Sequence, residues 1–182
     1  TAEAASVGHW HFNTYDGDAL TIPASTGIGQ LTCAPGWSAE TVSSPAGTTV
    51  ARSAATVAGS SLAFVGHSGN GQWFQISVPE ATAQSVRGIV FAVRRSGTGF
   101  TSLNVGLSRD GGKTFVPVDR RVVTESWRRE AFAWPAAKQS GPLTIRLQLD
   151  GATGSRGTLR VDNLSVLDSP PGPAEDPVPT HP

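Results

Sequence analysis

The chain has 182 residues, with 14 Lys and Arg against 14 Asp and Glu, 21 Gly, 13 Pro, one Cys and no Met. That length suits one domain, or one domain and a tail, with a core large enough to stand without staples. Lone Cys33 excludes an internal disulfide framework, no apolar run reaches the ~18 residues of a spanning helix, and zero net charge excludes a global pull on nucleic acid.

The absence of Met predicts that Thr1 is a cleaved or trimmed terminus. The small residues over positions 1–6 suit a signal-peptidase site, so this stretch reads as a lead and the protein as secreted or cell-surface. Twelve of the 14 basic residues are Arg, and Ala is abundant, which points to a bacterial source. From Trp10 onward the apolar period is two, the period of strands. Trp10 and Phe12 alternate with His9, His11 and Asn13. Residues 14–61 are rich in Ser, Thr, Ala, Gly and Pro; they predict either short edge strands with long loops or one large loop over a face.

Phe74, Ile76 and Val78 then alternate with Trp73, Gln75 and Ser77, followed by one short helical turn within 80–86. Residues 89–93 are apolar in both phases, which predicts a strand covered on both faces. Leu103, Val105 and Leu107 alternate with Ser102, Asn104 and Gly106, and Leu143, Ile145, Leu147 and Leu149 with Thr144, Arg146 and Gln148. At the end, Leu159 and Val161 share one phase while Leu164 and Val166 share the other, so a bulge or bend is expected at Asp162-Asn163. Gly-rich turns separate these runs. The pattern predicts an all-β fold, an antiparallel two-sheet β-sandwich over residues 7–168. From Asp168 to Pro182 six of fifteen residues are Pro, so 169–182 reads as a Pro-rich linker or tail, through which the domain would meet neighbouring domains or copies of itself.

Ser108-Arg109-Asp110-Gly111-Gly112-Lys113-Thr114-Phe115 resembles the Asp-box of sialidases and other secreted β proteins. In that family the box is structural, so the resemblance implies a hairpin joining strands 100–108 and 113–118. Its Asp carboxylate accepts backbone N–H groups across the turn, and Phe115 packs beneath. Gly8-His9-Trp10-His11-Phe12-Asn13, Leu62-Ala63-Phe64 and Arg160-Val161-Asp162-Asn163-Leu164-Ser165-Val166 resemble the first, early and last strands of secreted bacterial jelly rolls. That class includes carbohydrate-binding modules and galactose-binding-like domains. The resemblance implies a jelly roll whose first and last strands are neighbours. Some members carry a structural calcium ion between the N-terminal loop and the last strand, where Asp16, Asp18 and Asp162 would supply carboxylates. The competing reading is a plain turn at Tyr15-Asp16-Gly17-Asp18, with Asp162 capping the bulge.

His9 and His11 lie on one face of a strand and would need His67 to complete a metal enzyme's site; otherwise they face solvent opposite Trp10 and Phe12. No Gly-x-Ser-x-Gly occurs, and Cys33 lacks a recognised partner. Glu125 and Glu130 lie in a stretch, 87–130, holding eight Arg and one Lys against four acids, and read as ion-pair partners. The function these residues favour is a non-catalytic glycan-binding or accessory module, with Trp73, Trp37, Arg94 and Arg128 as the contacts to test first; the competing reading, which Trp burial favours, makes each Trp a core or loop-packing group. The alternative is a structural or assembly subunit of a bacterial surface or fibre protein.

Overall fold

A computed structural model describes residues 6–52 and 57–172. Residues 1–5 of the predicted lead and most of the Pro-rich tail lie outside the described residues, while Ser6 begins the first strand. The described chain forms thirteen strands: β1 (Ser6–Trp10), β2 (Thr21–Pro23), β3 (Thr26–Gly27), β4 (Gln30–Cys33), β5 (Val42–Ser43), β6 (Leu62–Val65), β7 (Trp73–Val78), β8 (Gly88–Arg95), β9 (Ser102–Ser108), β10 (Val116–Val122), β11 (Arg128–Ala133), β12 (Leu143–Asp150) and β13 (Thr158–Leu167). A single-turn helix, α1 (Glu80–Ala83), sits where one short turn is expected. Among the described residues no helix is long and apolar enough to cross a membrane.

Two antiparallel sheets result. One runs β10-β9-β12-β7-β4-β2; the other runs β11-β8-β13-β1-β3, with β6 also on β13 and β5 on β6. The first and last strands are neighbours, His9 lying opposite Ser165. Strand β13 exchanges partners midway: Thr158–Val161 pair with β6 and Leu164–Leu167 with β1. The bulge predicted at Asp162-Asn163 falls at that exchange, with the β8 register shifting between Asp162 and Ser165 and Asn163 at φ 50°. The phase slip therefore keeps Leu159, Val161, Leu164 and Val166 all buried.

The core lies between the sheets. Phe64 of β6 stacks on Phe74 of β7 at 5.1 Å, joining the two layers, and Trp37 lies 4.7 Å from Phe64. Residues 89–93 are buried on both faces, as their double apolar phase predicts. The N-terminal third forms the short strands β2 to β5 with long connections. One difference concerns β1, which stops at Trp10: the chain turns through Phe12 at φ 56°, and the Tyr15 N–H donates to its carbonyl. Phe12 is buried, but by a turn and not by strand alternation.

The Asp-box hairpin forms between β9 and β10, with Gly111 and Gly112 at φ 77° and 89°. Asp110 Oδ1 accepts the N–H groups of Lys113 and Thr114 and the Ser108 hydroxyl, and Oδ2 accepts the Thr114 hydroxyl. These donors hold its carboxyl well below the ordinary carboxylate range, the Thr114 bonds first. An Asp110→Ala variant is expected to melt a few degrees lower than wild type in a thermal scan at neutral pH. That deficit shrinks as pH falls and the wild-type carboxylate itself protonates, because a depressed carboxyl contributes stability only while ionised.

Candidate functional site

Strand alternation turns one set of side chains on the six-stranded sheet into the core and the other set outward. The outward row through β10, β9, β12, β7 and β4 is Pro117, Gly106, Arg146, Gln75 and Thr32. The adjacent row is Arg120, Asn104, Gln148 and Trp73. On the other side lie Ser108, Thr144, Ser77 and Gln30. The exposed part of this face is thus chiefly amides, two arginines and one indole, with Val122 exposed at its edge and the Ser108 and Thr144 hydroxyls covered. Asp150, opposite Ser102, is the single acid among its outward strand positions.

At its centre stands a layered stack. The Arg146 guanidinium carbon lies 4.0 Å from the Trp73 ring centre and 3.8 Å from the Phe115 ring centre. Both Nε–H and Nη2–H donate to Gln75 Oε1, at 3.2 and 3.0 Å. Gly106, opposite Arg146 on β9, lies beside this stack, a Cβ there falling at ordinary contact distance from Phe115. Rings on both sides restrict the guanidinium to one rotamer and strip much of its water, each cation–π contact contributing about 0.5–2 kcal/mol. Burial lowers its pKa from the ordinary arginine value. The Gln148 amide donates to the Gly71 carbonyl at 3.0 Å, which fixes a second polar group on the same face.

Trp73 and Gln75 occupy the outward, half-buried positions expected of them. Trp37 does not join them. It is 3% exposed, lies 6.0 Å from Phe100 as well as against Phe64, and its indole N–H donates to the Trp73 carbonyl. It is a core residue behind the sheet, with no ring face left for a ligand. Arg94 and Arg128 belong to β8 and β11 of the other sheet, where Arg94 lies opposite Arg160 and Arg128 opposite Val93. They are not brought together with Trp73. Glu130 does pair with Arg121, at 3.2 Å, while Arg121 covers Phe132 and closes the core between the edge strands. The residues missed in the sequence are Arg146 and Phe115 as partners: the outward phase of Arg146 is legible, but its neighbours come from β7 and the hairpin.

The metal readings fare differently. Among the described residues no group of three or more His, Cys, Asp or Glu side chains converges. Asp16 and Asp18 form an exposed turn in which the Asp18 N–H faces Asp16 Oδ1. Asp162 is buried beneath residues 47–50, where its oxygens accept the N–H groups of Thr48 and Asn163. The carbonyls of Thr48 and Val50, the type of oxygen calcium prefers, instead accept both protons of the Asn163 amide at 2.8 Å each. Asp16 and Asp18 are not brought to Asp162, so among the described residues these three carboxylates do not form one site. His9 is buried, not solvent-facing, with Nδ1 2.6 Å from Ser165 Oγ; burial first and His11 second lower its pKa. His67 begins a separate short turn, His67–Gly69.

A groove of about 690 Å³ runs between the Asp-box hairpin and residues 133–137, lined by Leu107, Val116, Pro117, Trp134 and Pro135 with Arg109. Asp110 and Thr114 also border it, but both are spent on the turn. Its wall is mostly apolar, in contrast to the hydrogen-bonding sheet face.

No family model and no curated protein matches the chain. Solved structures do. The family 22 xylan-binding domain of Paenibacillus barcinonensis Xyn10C superposes with TM-score 0.54 at 15% identity, covering 93% of this chain and 99% of that one. The C-terminal family 22 carbohydrate-binding module of Clostridium thermocellum Xyn10B gives 0.53 at 11%, covering 91% and 96%. A family 61 module, TmCBM61, solved with β-1,4-galactotriose, gives 0.50 at 11%, covering 91% and 98%. The fold of this chain is the jelly-roll β-sandwich of these carbohydrate-binding modules.

Proposed function

We propose that the protein is a non-catalytic, extracellular glycan-binding module whose ligand lies across the outward face of the six-stranded sheet. The observation that carries this reading is the ordered polar face itself: a fixed Trp73, Arg146 and Phe115 stack flanked by Gln75, Gln148, Asn104 and Thr32. Sugars offer hydroxyls to amides and guanidinium groups, and apolar C–H faces to rings, so the face matches both halves of a pyranose. Hydrolysis of a glycosidic bond calls for two carboxylates flanking it, and Asp150 stands by itself among the outward strand positions. The jelly-roll likeness to xylan- and galactotriose-binding modules points the same way. Secretion to the cell surface follows from this role, since polysaccharides of that kind lie outside the cell.

Affinity electrophoresis through gels containing xylan, galactan, glucan or pectic polysaccharide tests it. Wild type is expected to be retarded in at least one gel, and Trp73→Ala to migrate freely while still unfolding cooperatively, a few degrees below wild type. Free migration of wild type in every gel overturns the proposal.

A further inference from the structure

The sheet face holds a charge that the protein does not neutralise. The Nε and Nη2 fork of Arg146 is the edge that ordinarily grips a carboxylate with two parallel hydrogen bonds. Here it grips the neutral Oε1 of Gln75. Among the described residues Arg146 makes no ion pair, and no protein acceptor meets its Nη1. Trp73 and Phe115 cover both faces of the guanidinium, so water can approach only at its rim. A cation held this way costs desolvation that Gln75 offsets only in part. Arg120 projects on the same face, one row over and two strands away, and it too makes no ion pair among the described residues. Asp119, beside it in sequence, is taken by Arg121. Asn104 and Gln148 share the row of Arg120 and bring amide groups to it. The result is a face with two positive charges, one fixed and one free, set in neutral hydrogen-bonding groups, with one acid, Asp150, which pairs with neither.

From this arrangement, and resting on the glycan-binding reading above, we infer that the ligand is an acidic polysaccharide carrying uronic acid carboxylates, one of which meets the free edge of Arg146. The neutral sugars on either side lie against Trp73 and the amides, and Arg120 meets a second carboxylate further along the chain. A purely neutral glycan would leave Arg146 as uncompensated as it is in the free protein, and bury it further. An anionic one converts that cost into a charge-assisted hydrogen bond, in a setting where rings exclude competing water. The fixed rotamer also means that little side-chain entropy is lost on binding.

The test compares one polymer with and without its charge. Polygalacturonate and glucuronoxylan are each titrated calorimetrically into wild-type protein beside their carboxyl-reduced forms, in which the uronic acids have become neutral sugars. At least one uronate polymer is expected to bind about tenfold or more tighter than its reduced form, the worth of one charge-assisted hydrogen-bond pair. The preference is expected to shrink as sodium chloride rises from about 0.05 to 0.5 M. Arg146→Gln should abolish it. Arg146→Lys keeps the charge but loses the planar fork and should retain part of it, which guards against a fold defect in the first variant. Arg120→Gln, an exposed change outside the stack, should weaken binding of the uronate polymer more than binding of its reduced form. Equal affinity for charged and reduced polymers overturns this inference and leaves the glycan-binding reading standing. Tighter binding to a sulfated galactan of matched charge density overturns the carboxylate assignment. Absence of binding to any polysaccharide, charged or neutral, overturns both.

Discussion

Trp37→Ala is expected to lower the unfolding free energy by about 3–5 kcal/mol, the range for removing a large aromatic ring from a packed core. Trp37 reaches the core from the loop after β4. Its ring fills the space between Phe64 and Phe100, and Gly69 is bare to admit it: a Cβ at Gly69 would lie 2.3 Å from the indole. The indole N–H and the Ala34 N–H both donate to the Trp73 carbonyl, at 3.1 and 2.9 Å. Trp37 therefore anchors the backbone whose side chain, on the opposite side of the sheet, heads the candidate site. Trp37→Phe keeps most of the volume, and the Trp73 carbonyl retains Ala34, so its cost is about 1–2 kcal/mol. Urea unfolding followed by circular dichroism measures both. Trp37→Phe should also leave glycan affinity nearly unchanged, since the ring touches the face only through backbone. A loss below about 1 kcal/mol for Trp37→Ala would return this residue to the surface role that the sequence also allows.

The contrast between Trp37 and Trp73 shows where sequence reasoning has purchase. Trp73 sits in a run of strict alternation, so its outward direction follows from Phe74, Ile76 and Val78 pointing in. Trp37 sits in Pro35-Gly36-Trp37-Ser38, where no period exists and burial depends on contacts from β6 and the segment before β9. Arg146 is intermediate. Its phase on β12 is legible, but Gln75 is 71 residues away and becomes a partner only through the β12–β7 register. Arg94 and Arg128 lie on the other sheet from Trp73, and alternation gives a side of a sheet and not which sheet. The bulge in β13 was readable, since a phase slip within one strand is local information. What lies over that bulge was not: residues 44–50 lack an apolar pattern and reach Asp162 and Asn163 by backbone hydrogen bonds.

That covered bulge makes the stability of the protein depend on pH through Asp162. The side chain is fully buried, and burial pushes its carboxyl up to about 7 even though the Thr48 and Asn163 N–H groups favour the ionised form. The unfolded chain releases the same proton near pH 4, so between those values the folded state binds more protons and stability falls as pH rises. Below about 4 and above about 7 this contribution is flat. His9 acts oppositely: burial and the neighbouring His11 lower its pKa in the folded state, so the unfolded chain takes up that proton more readily and acid costs stability there. Comparison with Asp162→Asn removes the His9 part, since both proteins carry it. The amide replaces one acceptor oxygen with a donor and forfeits one backbone bond, so the variant is expected to be about 1 kcal/mol less stable at pH 5. By pH 8 the wild type has paid for ionising a buried carboxyl and the variant has not. The difference should move in favour of the variant by on the order of 2 kcal/mol, read as urea midpoints at the two pH values. Gly47→Ala should unfold more readily at both, because its Cβ would lie 2.3 Å from the Ala58 carbonyl and 2.4 Å from Asp162 Oδ2. A wild-type minus variant difference that stays constant from pH 5 to 8 would falsify the buried-acid account. A constant difference that begins to vary with pH once EDTA is added would replace it with a carboxylate kept ionised by a bound cation.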